Sequence, residues 1–100
     1  MLRHIIMFKL KEFANKTEHQ KAAEILKAKI ESLKTQIPEI KKLEVGINVV
    51  ELPWAYDIVL TIDLENLHDL EIYKNHSAHM ELIQFNKQYS VAKSSVDYII

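Results

Sequence analysis

The chain has no cysteine among its 100 residues. That excludes disulfides, thiolate metal sites and cysteine nucleophiles, and it suits a reducing compartment. Neither sign of charge is in excess: 13 Lys and Arg stand against 14 Asp and Glu. The basic residues are dispersed, with Lys41 and Lys42 the only adjacent pair. A chain so balanced exerts no bulk pull on nucleic acid or anionic lipid, so neither is expected as a partner. Long apolar runs are missing too. The opening MLRHIIMFKLK is broken by Lys9 and is too short for a signal peptide or a membrane span, so a cytoplasmic location is expected. Glycine occurs once, at Gly46. There is no repeat, low-complexity tract or long linker, and the length suits one domain over residues 1–100. What is present, 48% hydrophobic and 27% charged residues, is the composition of a folded globular chain.

Residues 3–10 are short and rich in strand formers, with His4, Ile6, Phe8 and Leu10 on one face and Ile5, Met7 and Lys9 on the other. Thr17 to Gln20 has the spacing of a capping box. Ala22, Leu26, Ile30, Leu33 and Ile37 then recur at helical intervals, and Pro38 ends the helix. Residues 41–50 read as a second strand placing Leu43, Val45, Ile47 and Val49 together, with Gly46 marking a bulge or a close backbone approach. Residues 56–64 alternate as a third strand. Asn66 caps a helix carrying Leu67, Leu70 and Tyr73. The helix breaks near Asn75, and Ser77 starts another that runs to about Tyr89. Residues 91–99 form the last strand. The order βαββαβ predicts an α+β, ferredoxin-like fold: a four-stranded antiparallel sheet with both helices on one face.

Two helices cover only one side of such a sheet. The other side displays Ile5, Met7, Val59, Val96 and Tyr98, with Ala92 near its edge. At about 25 cal/mol per Å² of apolar surface, covering that patch is worth several kcal/mol. A contiguous apolar patch marks an interaction surface, and two copies packing sheet to sheet satisfy it.

The segment YKNHSAHM sets Tyr73, His76 and His79 three residues apart, on one side of a helix or helical turn. The trio can converge on a ligand or a metal, or simply pack. His79 can exchange protons near neutrality, because imidazole titrates at about 6.5. His4 faces the helix side of the sheet, where a histidine is commonly a hydrogen-bonded core residue. His76 can satisfy free backbone groups at the helix break. Zinc wants three or four protein ligands and only two histidines are near in sequence, with Asp57 and Asp97 unforced, so no metal is expected. His19 and His68 are expected to be exposed and are given no role.

RHIIMFKLK, IPEIKKLEVGINV, YDIVLTIDLENLHDLEIYKNHSAH and the closing VDYI together resemble the stress-responsive A/B barrel (Dabb) family over nearly the whole chain. The most specific part is the tyrosine followed by two histidines, here Tyr73, His76 and His79, with Ser77 where the family often has proline. The resemblance implies a ferredoxin-like subunit that pairs into a dimeric α+β barrel, with no cofactor. Most members have no assigned activity, and several plant members are linked to stress. A plant polyketide cyclase of the family closes an aromatic ring by an aldol-type reaction. Carried over by position, its base falls on His79, its tyrosine on Tyr73, and the aspartate orienting the base on Asp97. His4 matches a cavity histidine. Ile58 and Ile30 stand where that enzyme has a histidine and a tyrosine, which argues against the same substrate. A homodimer with a small-ligand cavity is therefore expected. His4, His76, Ile6, Phe8, Ile30, Leu43, Ile58 and Leu60 are its expected ligand-binding residues, and apolar walls of this kind suit an aromatic or acyl molecule. The alternative is a cofactor-free cyclase, lyase or monooxygenase-like enzyme.

Overall fold

The computed structural model describes residues 1–100. The elements are β1 (Leu2–Leu10), α1 (Lys16–Glu31), α2 (Leu33–Gln36), β2 (Lys42–Ile47), β3 (Ile58–Leu64), α3 (Leu67–Asn75), α4 (Ser77–Asn86) and β4 (Ser90–Ile99). The strands make one sheet in the order β2-β3-β1-β4, antiparallel at every joint. This is the ferredoxin-like arrangement, with β1 and β3 central. No helix is long and apolar enough to cross a membrane.

Alternation along the central strands decides which side the helices cover. Leu2, His4, Phe8 and Leu10 of β1 are buried on the helix side, as are Ile58, Leu60, Ile62 and Leu64 of β3. Paired residues of antiparallel strands share a face, and the register sets Ile6 against Leu60 and His4 against Ile62. Onto this layer α1 lowers Ala23, Leu26 and Ile30, and Leu33 and Ile37 continue the stripe, completing one core. Leu26 and Ile30 have no exposed surface. Cutting either to alanine is expected to cost about 2–5 kcal/mol.

Local chemistry shifted several element ends. The cap of α1 is Asn15, whose Oδ1 accepts the Glu18 N–H at 2.9 Å, two residues before the expected Thr17. The expected single helix to Pro38 breaks at Ser32. There the hydroxyl donates to the Lys29 carbonyl at 2.5 Å, the back-bonding that bends helices at serine. Strand β2 stops at Ile47 rather than running to residue 50. Asn48 turns the chain instead: its amide donates to Val50 O at 2.8 Å and its Oδ1 accepts Val50 N–H at 3.3 Å. Val49 consequently leaves the sheet face assigned to it and is exposed. Tyr56 and Asp57 precede β3. Asp57 ties three elements by accepting the Leu10 N–H at 2.7 Å and meeting His19 Nε2 at 3.2 Å, so His19 is only half exposed. Helix α4 ends at Asn86, before Tyr89, in a turn closed by Tyr89 N–H to Asn86 O at 3.0 Å.

Gly46 lies in an unbroken β2–β3 register, so it marks a close approach and not a bulge. A Cβ there would meet Val59 Cγ1 at 3.2 Å. The irregularity of the sheet is in β4: Lys9 pairs with Ala92, but Leu10 pairs with Ser90, leaving Val91 as an extra residue.

The face away from the helices carries Ile5 opposite Val96 and Met7 opposite Val59. Met7, Val96 and Tyr98 are 39, 53 and 40% exposed. At one end of this face Arg3 forks onto Asp63, with Nε to Oδ1 at 2.8 Å and Nη2 to Oδ2 at 3.0 Å. Arg3 holds the Asp63 carboxyl below its ordinary range, despite the burial that opposes ionisation.

Candidate ligand site beside Tyr73 and His79

The break between α3 and α4 organises the site. His76 is extended there, and its Nδ1 accepts the Ala78 N–H at 3.0 Å, which makes it the N-cap of α4. Its ring is turned to the helix backbone, and it does not line the cavity described below. Ser77 opens α4 where the family often has proline, and the helix start is intact. One turn into α4, His79 Nδ1 lies 2.9 Å from the Lys74 carbonyl. A carbonyl only accepts, so Nδ1 carries the proton and Nε2 of the neutral ring keeps its lone pair. Burial lowers the His79 pKa; the Lys74 carbonyl bond opposes the shift, and positive charge, on His4 when that ring is protonated and on Lys93 and Lys74, reinforces it. His79 is therefore neutral at pH 7.

Tyr73 comes from the last turns of α3 and lies between two imidazoles. Its ring centroid is 4.6 Å from that of His79 and 5.8 Å from that of His4. Burial pushes its phenol pKa up, so the hydroxyl stays protonated and serves as a donor. His4, 6% exposed, pairs across the β1–β4 ladder with Asp97. Its Nδ1 is 2.5 Å from Asp97 Oδ1. A carboxylate accepts, which again places a proton on Nδ1; in the neutral form of the ring Nε2 keeps its lone pair.

These rings line a cavity of about 270 Å³ between the β1–β4 side of the sheet and α4. Ile6 and Phe8 form its floor, and Leu82 and Ile83 its α4 wall. Ser90, Val91, Ala92 and Lys93 complete the mouth. Four consecutive strand residues do not ordinarily face one space, because side chains alternate. The extra residue at Val91 breaks that alternation and re-aims the start of β4.

Two expectations about this site require correction. Asp97 orients His4, not His79: it sits directly opposite His4 in the ladder, while His79 Nδ1 is engaged by the Lys74 carbonyl. Ile30, Leu43, Ile58 and Leu60 do not line the cavity. Ile30, Ile58 and Leu60 are sealed in the core packed with α1, and Leu43 sits on β2, the far edge of the sheet. The space expected at the centre of the sheet is filled, and the open volume lies on the β4 side. The positions missed from sequence are Leu82, Ile83, Asn86, Lys87 and Ser90–Lys93. Those on α4 were legible, since 79, 82, 83 and 86 follow helical spacing from His79. Nothing in the sequence announced the bulge.

Comparison with known proteins agrees with this architecture. The sequence profile of the stress responsive A/B barrel domain matches residues 2–100. A crystal structure from Bacteroides fragilis, described as a dimeric protein of unknown function with a ferredoxin-like fold, is 28% identical with a TM-score of 0.85, covering 99% of this chain and 95% of that one. The hydroxynitrile lyase of Passiflora edulis superposes with a TM-score of 0.81 at 16% identity, over 99% of this chain and 92% of its own, a likeness of fold. An uncharacterised protein of Streptomyces coelicolor is 24% identical over 90 residues, 90% of this chain and 91% of that protein. The chain belongs to the stress responsive A/B barrel (Dabb) family.

Proposed function

We propose that this protein is a cytoplasmic, stress-associated homodimer, paired through the open sheet face, in which each subunit's cavity binds a small apolar or aromatic molecule. The observation that carries the reading is the cavity itself: apolar floor and wall, with Tyr73, His79 and His4 converging on one space. Few polar groups amid apolar walls is the common make-up of a small-molecule site. Pairing is supported by the apolar open face and by the dimeric description of the Bacteroides fragilis structure. Amide and methyl chemical shifts on titration with a panel of phenolic and acyl fragments provide the test. Shifts clustered at Tyr73, His79, Ile83 and Val91, weakened by Tyr73→Phe and His79→Ala, are the expected result. A panel that binds nowhere, or only outside these residues, sinks the reading.

One observation favours an alternative, a cofactor-free cyclase, lyase or monooxygenase-like enzyme. A histidine whose Nδ1–H is held by a carboxylate and whose Nε2 is free has the equipment of a general base. On this geometry His4 with Asp97 is at least as well placed as His79 for that role. Tyr73 would donate to a carbonyl or developing enolate oxygen. The discriminating measurement is kinetic. Asp97→Asn that abolishes turnover while retaining ligand affinity supports catalysis, whereas a protein that binds its ligand and never turns it over is a carrier.

A further inference from the structure

We infer that the cavity selects a small carboxylate: an aromatic or acyl acid whose apolar body lies against Phe8, Leu82 and Ile83 and whose anionic group is held at the mouth by Lys87 and Lys93. This rests on the ligand-binding reading above and specifies its substrate class. Among the residues lining the cavity, Lys87 and Lys93 are the only formally charged ones apart from the histidines, and no Asp or Glu is among them. Neither ammonium group is engaged in an ion pair within the subunit, so both are free to meet an anion. Lys93 is placed by the ladder: it pairs with Phe8, so it shares the helix-side face with the cavity floor. Its charge also reaches inward, being one of those that lower the His79 pKa.

A third donor stands beside them. Asn86 Oδ1 accepts the Ser90 hydroxyl at 2.5 Å, which leaves the Asn86 amide N–H groups uncommitted. The mouth of the cavity thus presents donors and positive charge with no counter-charge. The C-terminus of α4 opposes this with about half an elementary negative charge, and two full ammonium charges outweigh it. At the other end the Tyr73 hydroxyl can donate to a ligand carbonyl, and a neutral imidazole Nε2 can accept from a ligand hydroxyl. A cation of the same size would meet like charge at the mouth and no carboxylate among the lining residues.

Isostere pairs test the inference. Calorimetric titration compares 2-naphthoate with 2-naphthamide and phenylacetate with phenylacetamide, each at low and at high salt. The acids are expected to bind about tenfold tighter than their amides, the scale of charge-assisted hydrogen bonds discounted for exposure. High salt and the Lys87→Gln/Lys93→Gln double variant should each bring the pair toward parity. A bound carboxylate should also raise the pKa of His79, read from its ring protons, because an anion on Lys93 offsets the positive charge that lowers it. Acid and amide binding equally well at the cavity would overturn the carboxylate assignment and leave the ligand-binding reading standing. An acid preference that survives the double variant would likewise overturn it, since the anion would be held elsewhere. Failure of all four compounds to bind while the phenolic and acyl panel still shifts the cavity resonances would overturn the carboxylate assignment alone, and failure of both sets would remove both readings.

Discussion

The three rings of the site look alike in sequence and differ in what holds them. His4 depends on one carboxylate, itself 32% exposed, from the neighbouring strand. Asp97→Asn replaces a charge-assisted bond to a buried ring by a neutral one and should cost about 1–3 kcal/mol, read from urea unfolding. His79 depends on a backbone carbonyl within its own helical turn, and its folded pKa lies below that of the unfolded chain. The unfolded state then binds more protons in the window between the two values, so stability rises with pH across it. As pH falls from the unfolded value of about 6.5 through the folded one, this contribution is lost. Ring-proton titration should place His79 below a free imidazole, and His79→Gln should flatten that segment of the stability profile. A His79 that titrates at or above the free value contradicts the burial argument. The residue types were legible from spacing alone. Their partners were not, because the Asp97 pairing is fixed by a strand register that unites positions 93 residues apart.

At the scale of elements, periodicity reported where the chain is helical or extended, and local side-chain chemistry decided where each element stops. The stripe Ala22–Leu26–Ile30–Leu33–Ile37 is buried throughout, across a break at Ser32 that its spacing did not reveal. Asx chemistry accounts for two other misplaced boundaries: Asn15 captures the α1 N-terminus ahead of Thr17, and Asn48 ends β2 before Val49. These assignments make separable predictions. Asn15→Ala removes the acceptor for Glu18 N–H and should lower stability by about 1 kcal/mol. Thr17→Ala, on the exposed first turn, should stay within about 0.5 kcal/mol of the parent. Equal or reversed losses in thermal melts would place the cap back at Thr17. The bulge at Val91 belongs to the same class of feature. One unpaired residue decides that β4 contributes four neighbours to the cavity mouth, and no sequence pattern carried it.

For the whole molecule the decisive asymmetry is between the two faces of one sheet. The helix side is closed by a single core, while the opposite side leaves Ile5, Met7, Val59, Val96 and Tyr98 in one contiguous field on three adjacent strands. Its one buried charge, Asp63, is already matched by Arg3 within the subunit. Asp63 therefore needs no counter-charge from a second copy, which reduces the cost that usually makes buried ions unfavourable at interfaces. Sheet-to-sheet packing of two copies is the arrangement that buries the field symmetrically. The argument predicts a dimer by sedimentation equilibrium at micromolar concentration. It also predicts that Met7→Glu with Val96→Glu shifts the mass to that of one subunit, because four carboxylates would then meet across the two-fold axis without partners. The double variant should keep its far-ultraviolet circular dichroism, since both side chains point away from the core. If each subunit builds its own site, as proposed, the variant's cavity should keep binding fragments. A wild-type chain that sediments as a folded monomer, or a variant that stays dimeric, would mean that the field between β3 and β4 has a different occupant and that association uses another surface.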